Sequence, residues 1–84
     1  MSQNSGVSYI NPNGYAVNDI EDATPMYIGK VRADGTWLLQ RYNSTTGSMS
    51  YANLSNNSTV TGYNTAWTNR ATLTYGGYET LTGV

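Results

Sequence analysis

Serine is abundant in this chain, but a serine nucleophile needs a neighbouring base to take its proton, most often histidine. The 84 residues contain no histidine, and no cysteine to stand in as another nucleophile. The serines therefore read as turn residues. The five acids are Asp19, Glu21, Asp22, Asp34 and Glu79. Hydrolysis of a glycoside needs two carboxyl groups held at a set separation across a cleft. Three of these acids share one N-terminal segment, one sits in a tight turn and one lies near the C-terminus, a distribution that does not suggest a cleft. Asp19-Ile20-Glu21-Asp22 would offer oxygens to calcium, but a hard cation needs six or more and the EF-hand spacing is absent, so this reads as a solvated acidic turn. Gly76-Gly77 lacks the following Lys-Ser/Thr of a phosphate loop. Without histidine or cysteine a zinc site is excluded. The sequence thus predicts no catalytic residue, no metal site, no cofactor and no enzyme.

Two further patterns bear on chemistry. Asn43-Ser44-Thr45, Asn53-Leu54-Ser55 and Asn57-Ser58-Thr59 match the N-glycosylation acceptor. A chain this rich in Asn, Ser and Thr produces that match by chance, and no secretory signal is readable. The other pattern is Trp37, Arg41, Trp67 and Arg70. Trp37 and Arg41 share a strand face, Trp67 and Arg70 a helical face, and arginine over tryptophan is a favourable pair worth about 0.5–2 kcal/mol depending on burial. These residues read first as closing a core, with a short helix laid over a sheet. A glycan- or protein-binding surface of exposed indoles is the competing reading.

The elements that must position these residues are mostly strands. Pro25 opens a run, Met26–Arg32, with Met26, Ile28 and Lys30 on one face and Tyr27, Gly29 and Val31 on the other. Asp34-Gly35 between two strand-like runs is the strongest short hairpin signal. Trp37–Asn43 is apolar on both faces at its start and reads as a central strand. Ser44-Thr45-Thr46-Gly47 forms the next turn, and Ser48–Asn53 the third strand of an antiparallel meander. Ser55–Ser58 is a polar loop. Tyr63, Ala66, Trp67 and Arg70 fall at helical spacing, predicting two turns or fewer with Thr61 as the cap. Residues 70–75 return to period two, with Ala71, Leu73 and Tyr75 on one face. Residues 78–84 form a last short strand or a tail.

Residues 1–23 read differently. Asn11-Pro12-Asn13-Gly14 is turn chemistry, and at most one short strand is expected near Val7–Ile10. This segment is either a loose terminus or a docking arm that orders on a neighbouring subunit through Val7, Tyr9, Tyr15, Val17 and Ile20. The remainder, 24–84, is expected to be a small mainly β domain, a meander, sandwich or partial barrel with one short helix. Its candidate core and interface anchors are Tyr27, Trp37, Arg41, Tyr63, Trp67, Arg70 and Tyr75. The candidate arm anchors are Tyr9, Tyr15 and Ile20.

Composition points to neighbours. Charged residues make up 11% of the chain and net charge is −1, against about 25% charged in ordinary soluble domains. Four basic residues leave no footprint for nucleic acid, and no apolar run reaches the ~20 residues that cross a bilayer. A core this small supplies about 3–5 kcal/mol and usually needs a staple. Neither a disulfide nor zinc is possible, so oligomerisation or docking onto a larger assembly remains. Eight tyrosines among Ser, Gly and Asn suit rigid contacts with adaptable hydrogen bonds.

Three stretches in this order, Asp22-Ala23-Thr24-Pro25-Met26-Tyr27-Ile28-Gly29-Lys30-Val31, Trp37-x-x-x-Arg41 and Ala66-Trp67-Thr68-Asn69-Arg70-Ala71-Thr72-Leu73-Thr74-Tyr75, resemble small virion-associated proteins encoded by tailed phages. The resemblance covers roughly residues 20–76, and Thr68-Asn69 stand where family copies often carry an acidic pair. It implies a structural place in the particle, assembled in the bacterial cytoplasm, with other virion proteins and further copies of the chain as partners. No nucleic acid, membrane or small-molecule partner is expected. Tail or fibre attachment is the favoured place and capsid decoration the alternative, with a host-glycan-binding module a more distant one.

Overall fold

The computed structural model describes residues 14–84. Four strands form one open antiparallel sheet in sequential order: β1 (Ala16–Glu21), β2 (Met26–Val31), β3 (Trp37–Asn43) and β4 (Ser48–Asn53). One short helix follows, α1 (Tyr63–Thr68), and then a single 3-10 turn at Tyr78–Thr80. The protein is mainly β, and its described residues form an open meander rather than a sandwich or a closed barrel.

Local chemistry accounts for the hairpins. Between β2 and β3 the Asp34 side chain accepts the Thr36 backbone N–H at 2.9 Å, and Gly35 takes φ +91°, which glycine adopts without the clash a Cβ brings. The exposed Asp34 carboxyl is held below its ordinary pKa, first by its hydrogen bonds from Thr36. Between β3 and β4 the Asn43 side chain accepts the Thr45 N–H at 3.0 Å. The register then sets the faces. Trp37, Leu39 and Arg41 point to one side with their partners Val31, Gly29 and Tyr27 of β2, and with Ala52 and Ser50 of β4. Leu38, Gln40 and Tyr42 point to the other side, with Lys30, Ile28 and Met26 and with Asn53, Tyr51 and Met49.

α1 covers the first face. Trp37, Leu39, Ala52 and Ala66 are buried together, with Val60, Tyr63, Trp67, Leu73 and Tyr75 packed around them. Each large side chain fully buried here contributes roughly 1.5–3 kcal/mol. The helix runs six residues, within the two turns expected. Its N-cap is Gly62 and no side chain caps it, so Thr61 does not play that part.

The expected boundary after residue 23 does not hold. β1 pairs with β2 from Ala16↔Val31 to Glu21↔Tyr27, with an irregularity between Val17 and Asp19, and so belongs to the sheet. Its alternation was masked because Asn18 interrupts it as an extra residue in the ladder. Val7, Tyr9 and the strand expected near Val7–Ile10 lie outside the described residues. Residues 70–75 also differ from expectation. They turn rather than extend, because Asn69 accepts the Thr72 backbone N–H and hydroxyl and the Tyr75 hydroxyl donates to the Arg70 carbonyl at 2.7 Å. The chain then pairs backbone to backbone with β4 at Gly76, which exchanges both hydrogen bonds with Tyr51.

A Cβ placed on Gly29 would lie 2.8 Å from Trp67 Cε3 and 2.9 Å from Tyr63 Cζ. Gly29→Ala is expected to destabilise by about 1–3 kcal/mol through overpacking, read as a lower urea midpoint. Glu21→Gln removes a half-exposed ion pair and should cost at most about 1 kcal/mol.

Candidate functional site

The seven anchors expected to close a core or an interface, Tyr27, Trp37, Arg41, Tyr63, Trp67, Arg70 and Tyr75, all fall on the α1 side of the sheet. Trp37 is 2% exposed and its indole N–H donates to the Val60 carbonyl at 2.9 Å. The Arg70 guanidinium lies 4.5 Å from the Trp67 ring, donates to the Trp67 carbonyl and pairs with Glu21 at 2.9 Å. Arg41 does not reach an indole. It lies 4.3 Å above the Tyr75 ring and donates to the Ser50 hydroxyl. Trp37 is sealed beneath α1, so the side-chain order along the strand does not bring the two residues together. Tyr63 stacks on Trp67 with rings 13° from parallel, and its hydroxyl donates to Asp19 at 2.8 Å.

These contacts commit two of the three neighbouring acids. Asp19 receives Tyr63 and Glu21 receives Arg70. No group of three potential metal-ligating side chains occurs among the described residues. Burial, followed by the Asp19 hydrogen bond, raises the Tyr63 pKa well above its ordinary value. Burial chiefly raises Tyr75.

The opposite face is held differently. Tyr15, expected as an arm anchor, is 1% exposed and packs with Leu38 and Leu81, with Tyr51 and Val84 alongside. It is a core residue because the C-terminal stretch folds over that end of the sheet. The Arg32 guanidinium lies 4.2 Å above its ring, and burial raises its pKa. The buried Asn53 fastens the C-terminal stretch, donating to the Thr82 carbonyl at 2.8 Å and accepting from Ser55. Asn57 exchanges hydrogen bonds with the Thr74 backbone at 2.8 and 3.0 Å. From the sequence, Asn53 reads as the last residue of the third strand and Asn57 as a loop residue, and both fall in chance acceptor sites. The density of Asn directly after a strand was their one available signal, since asparagine side chains mimic backbone in turns.

Beyond this clip the second face is open. Ile20, the other arm anchor, is 58% exposed, and Val17 and Met49 are also exposed. Met26, Ile28 and Tyr42 are half-buried beside them. Lys30 lies on the same face, and partial burial lowers its pKa. No hydrogen bond or ion pair holds Lys30 among the described residues. Gln40 donates only to the Met49 sulfur at 3.9 Å, and its buried amide oxygen has no partner there. This part of the face is thus an exposed apolar patch with a cation at its edge, beside the buried Leu38.

No protein-family model matches the chain, and neither does a curated protein or a solved structure.

The raised tyrosines give a pH dependence with a definite sign. A phenol whose folded pKa exceeds its unfolded value of 10.0 stabilises the fold fully below that pH, and the stabilisation is lost as pH rises through the folded value. Stability should therefore fall above pH 10. In a spectrophotometric titration of the phenols, Tyr15, Tyr63 and Tyr75 are expected to ionise last, together with unfolding.

Proposed function

We propose that this chain is a structural component of a tailed-phage particle, associated with the tail or fibre attachment and acting by protein–protein assembly. The supporting observation is the open apolar face. The first face is finished by α1, whereas Ile20, Val17 and Met49 on the second stand in solvent. A single small core with neither disulfide nor zinc gains from a neighbour that covers such a patch.

The stretches that carry the resemblance to small virion proteins also bear on packing. They contain Tyr27, Gly29, Trp37, Arg41, Ala66, Trp67, Arg70 and Tyr75, and these are the residues that join α1 to the sheet. The pattern therefore encodes a scaffold, and the choice of partner falls to residues on the other face. Trp37 is sealed from any glycan, so a sugar-binding reading rests on Trp67, whose ring is in contact with Tyr63 and Arg70.

Immunogold labelling of intact particles, produced by a phage whose genome encodes the chain, tests this reading. Label on the tail, at tens of copies or fewer, is the expected result. Label over the head shell at hundreds of copies would make it a decoration protein. A chain present in the lysate but missing from particles would defeat the proposal.

A further inference from the structure

Lys30 is the chain's single lysine, and it sits where apolar burial penalises its charge. Its neighbours across the sheet are Val17 of β1 and Leu38 of β3. The open part of this face continues through Ile20, Ile28, Tyr42 and Met49. Strands of about six residues at ~3.3 Å rise, spaced ~4.8 Å apart, make a face on the order of 300–400 Å² in plan. Part of it already lies beneath Tyr15 and Leu81. A standard interface takes about 800 Å² from each partner, so a self-complementary dimer through this face alone falls short. Charge points the same way. On the strands, the acids Asp19 and Glu21 pair with Gly29 and Tyr27 and so face α1, and the open strand surface of a second copy would bring Lys30 only another lysine. The chain's first thirteen residues contain neither Asp nor Glu and offer Lys30 no carboxylate either.

We infer that the sheet face opposite α1 docks a segment of a different protein, one that presents apolar side chains around a single carboxylate positioned to pair with Lys30. This rests on the assembly reading and names the chemistry of its partner. The apolar side chains cover Ile20, Ile28 and Met49, and the carboxylate compensates a cation that the fold leaves without an acid. Truncating one member of such a buried pair leaves the other charge uncompensated, so specificity for the partner concentrates at Lys30.

Zero-length carbodiimide coupling joins an amine to a carboxylate in direct contact, and Lys30 offers the only side-chain amine. The reagent is applied to a lysate of producing cells and, separately, to purified particles. The expected result is an amide between Lys30 and an Asp or Glu of another protein, with apolar residues flanking that acid. Lys30→Arg should abolish the coupling yet leave incorporation within about twofold of wild type, whereas Lys30→Glu should lower incorporation at least tenfold. Circular dichroism and urea titration of both variants separate lost docking from lost folding. If Lys30→Glu weakens folding, Ile20→Ser, at a solvent-exposed position, replaces it and should lower incorporation likewise. Coupling of Lys30 only to Asp22 or Glu79 of another copy would overturn the inference in favour of self-assembly. Lys30 that is unreactive in the isolated chain, and becomes reactive when residues 1–13 are removed, would overturn it in favour of the chain's own N-terminal segment. No coupling at Lys30, with Lys30→Glu incorporated normally, would overturn it outright. A chain missing from particles whose Lys30 still couples to such an acid in the lysate would defeat the virion reading and leave the docking surface standing.

Discussion

The close approach of α1 to the sheet at Gly29 is the contact on which the rest of the structure depends. β2 carries no side chain at that position, and the Tyr63 and Trp67 rings occupy the space a Cβ would take. With those rings down on the sheet, Ala66 reaches the buried layer of Trp37, Leu39 and Ala52. Arg70 is then carried over Trp67 and within reach of Glu21 on β1. A six-residue helix is far too short to persist alone, since isolated helices below about 12–15 residues are marginal in water. The helix exists because its aromatic face has somewhere flat to lie.

That arrangement explains how so few charges suffice. The cations work mainly through aromatic faces: Arg32 on Tyr15, Arg41 on Tyr75, Arg70 on Trp67. Each of these keeps an apolar stem against the sheet and a hydrated edge outward. Lys30 is the exception. It has no ring to lie on and no acid beside it among the described residues. An ammonium is a compact, strongly hydrated charge and tolerates partial burial less well than a guanidinium. Among the described residues, the cation in that condition lies on the face that α1 does not cover.

The asparagine-rich stretch after β4 has a comparable structural role. A loop of this composition would ordinarily run loosely over the surface. Here Asn57 presents a donor and an acceptor in the spacing of a peptide group and binds the residue 74 backbone much as another strand would, while Asn53 donates to the Thr82 carbonyl of the C-terminal stretch. The chain thereby closes the far end of the second face without a disulfide, and the open patch is bounded rather than continuous.

The sequence by itself determined what is local. Asp34-Gly35 and Gly47 set the turns, alternation set β2, β3 and β4 nearly to the residue, and the helical spacing of Tyr63, Ala66 and Trp67 placed α1. Those signals are legible because a strand or a turn is decided by residues within a few positions of one another. The absence of histidine and cysteine was legible in the same direct way. Tertiary structure decided what depends on pairing across the chain. β1 joined the sheet although Asn18 hides its alternation, because β2 offered a free edge for its backbone hydrogen bonds. Arg41 met Tyr75 rather than Trp37, because the turn at residues 69–75 brought that ring over the strand. Tyr15 became core rather than anchor once Leu81 folded over it, and Lys30 was left on an open face by the same geometry. Which side chain covers which is a property of register and of distant segments, and no window of neighbouring residues contains it.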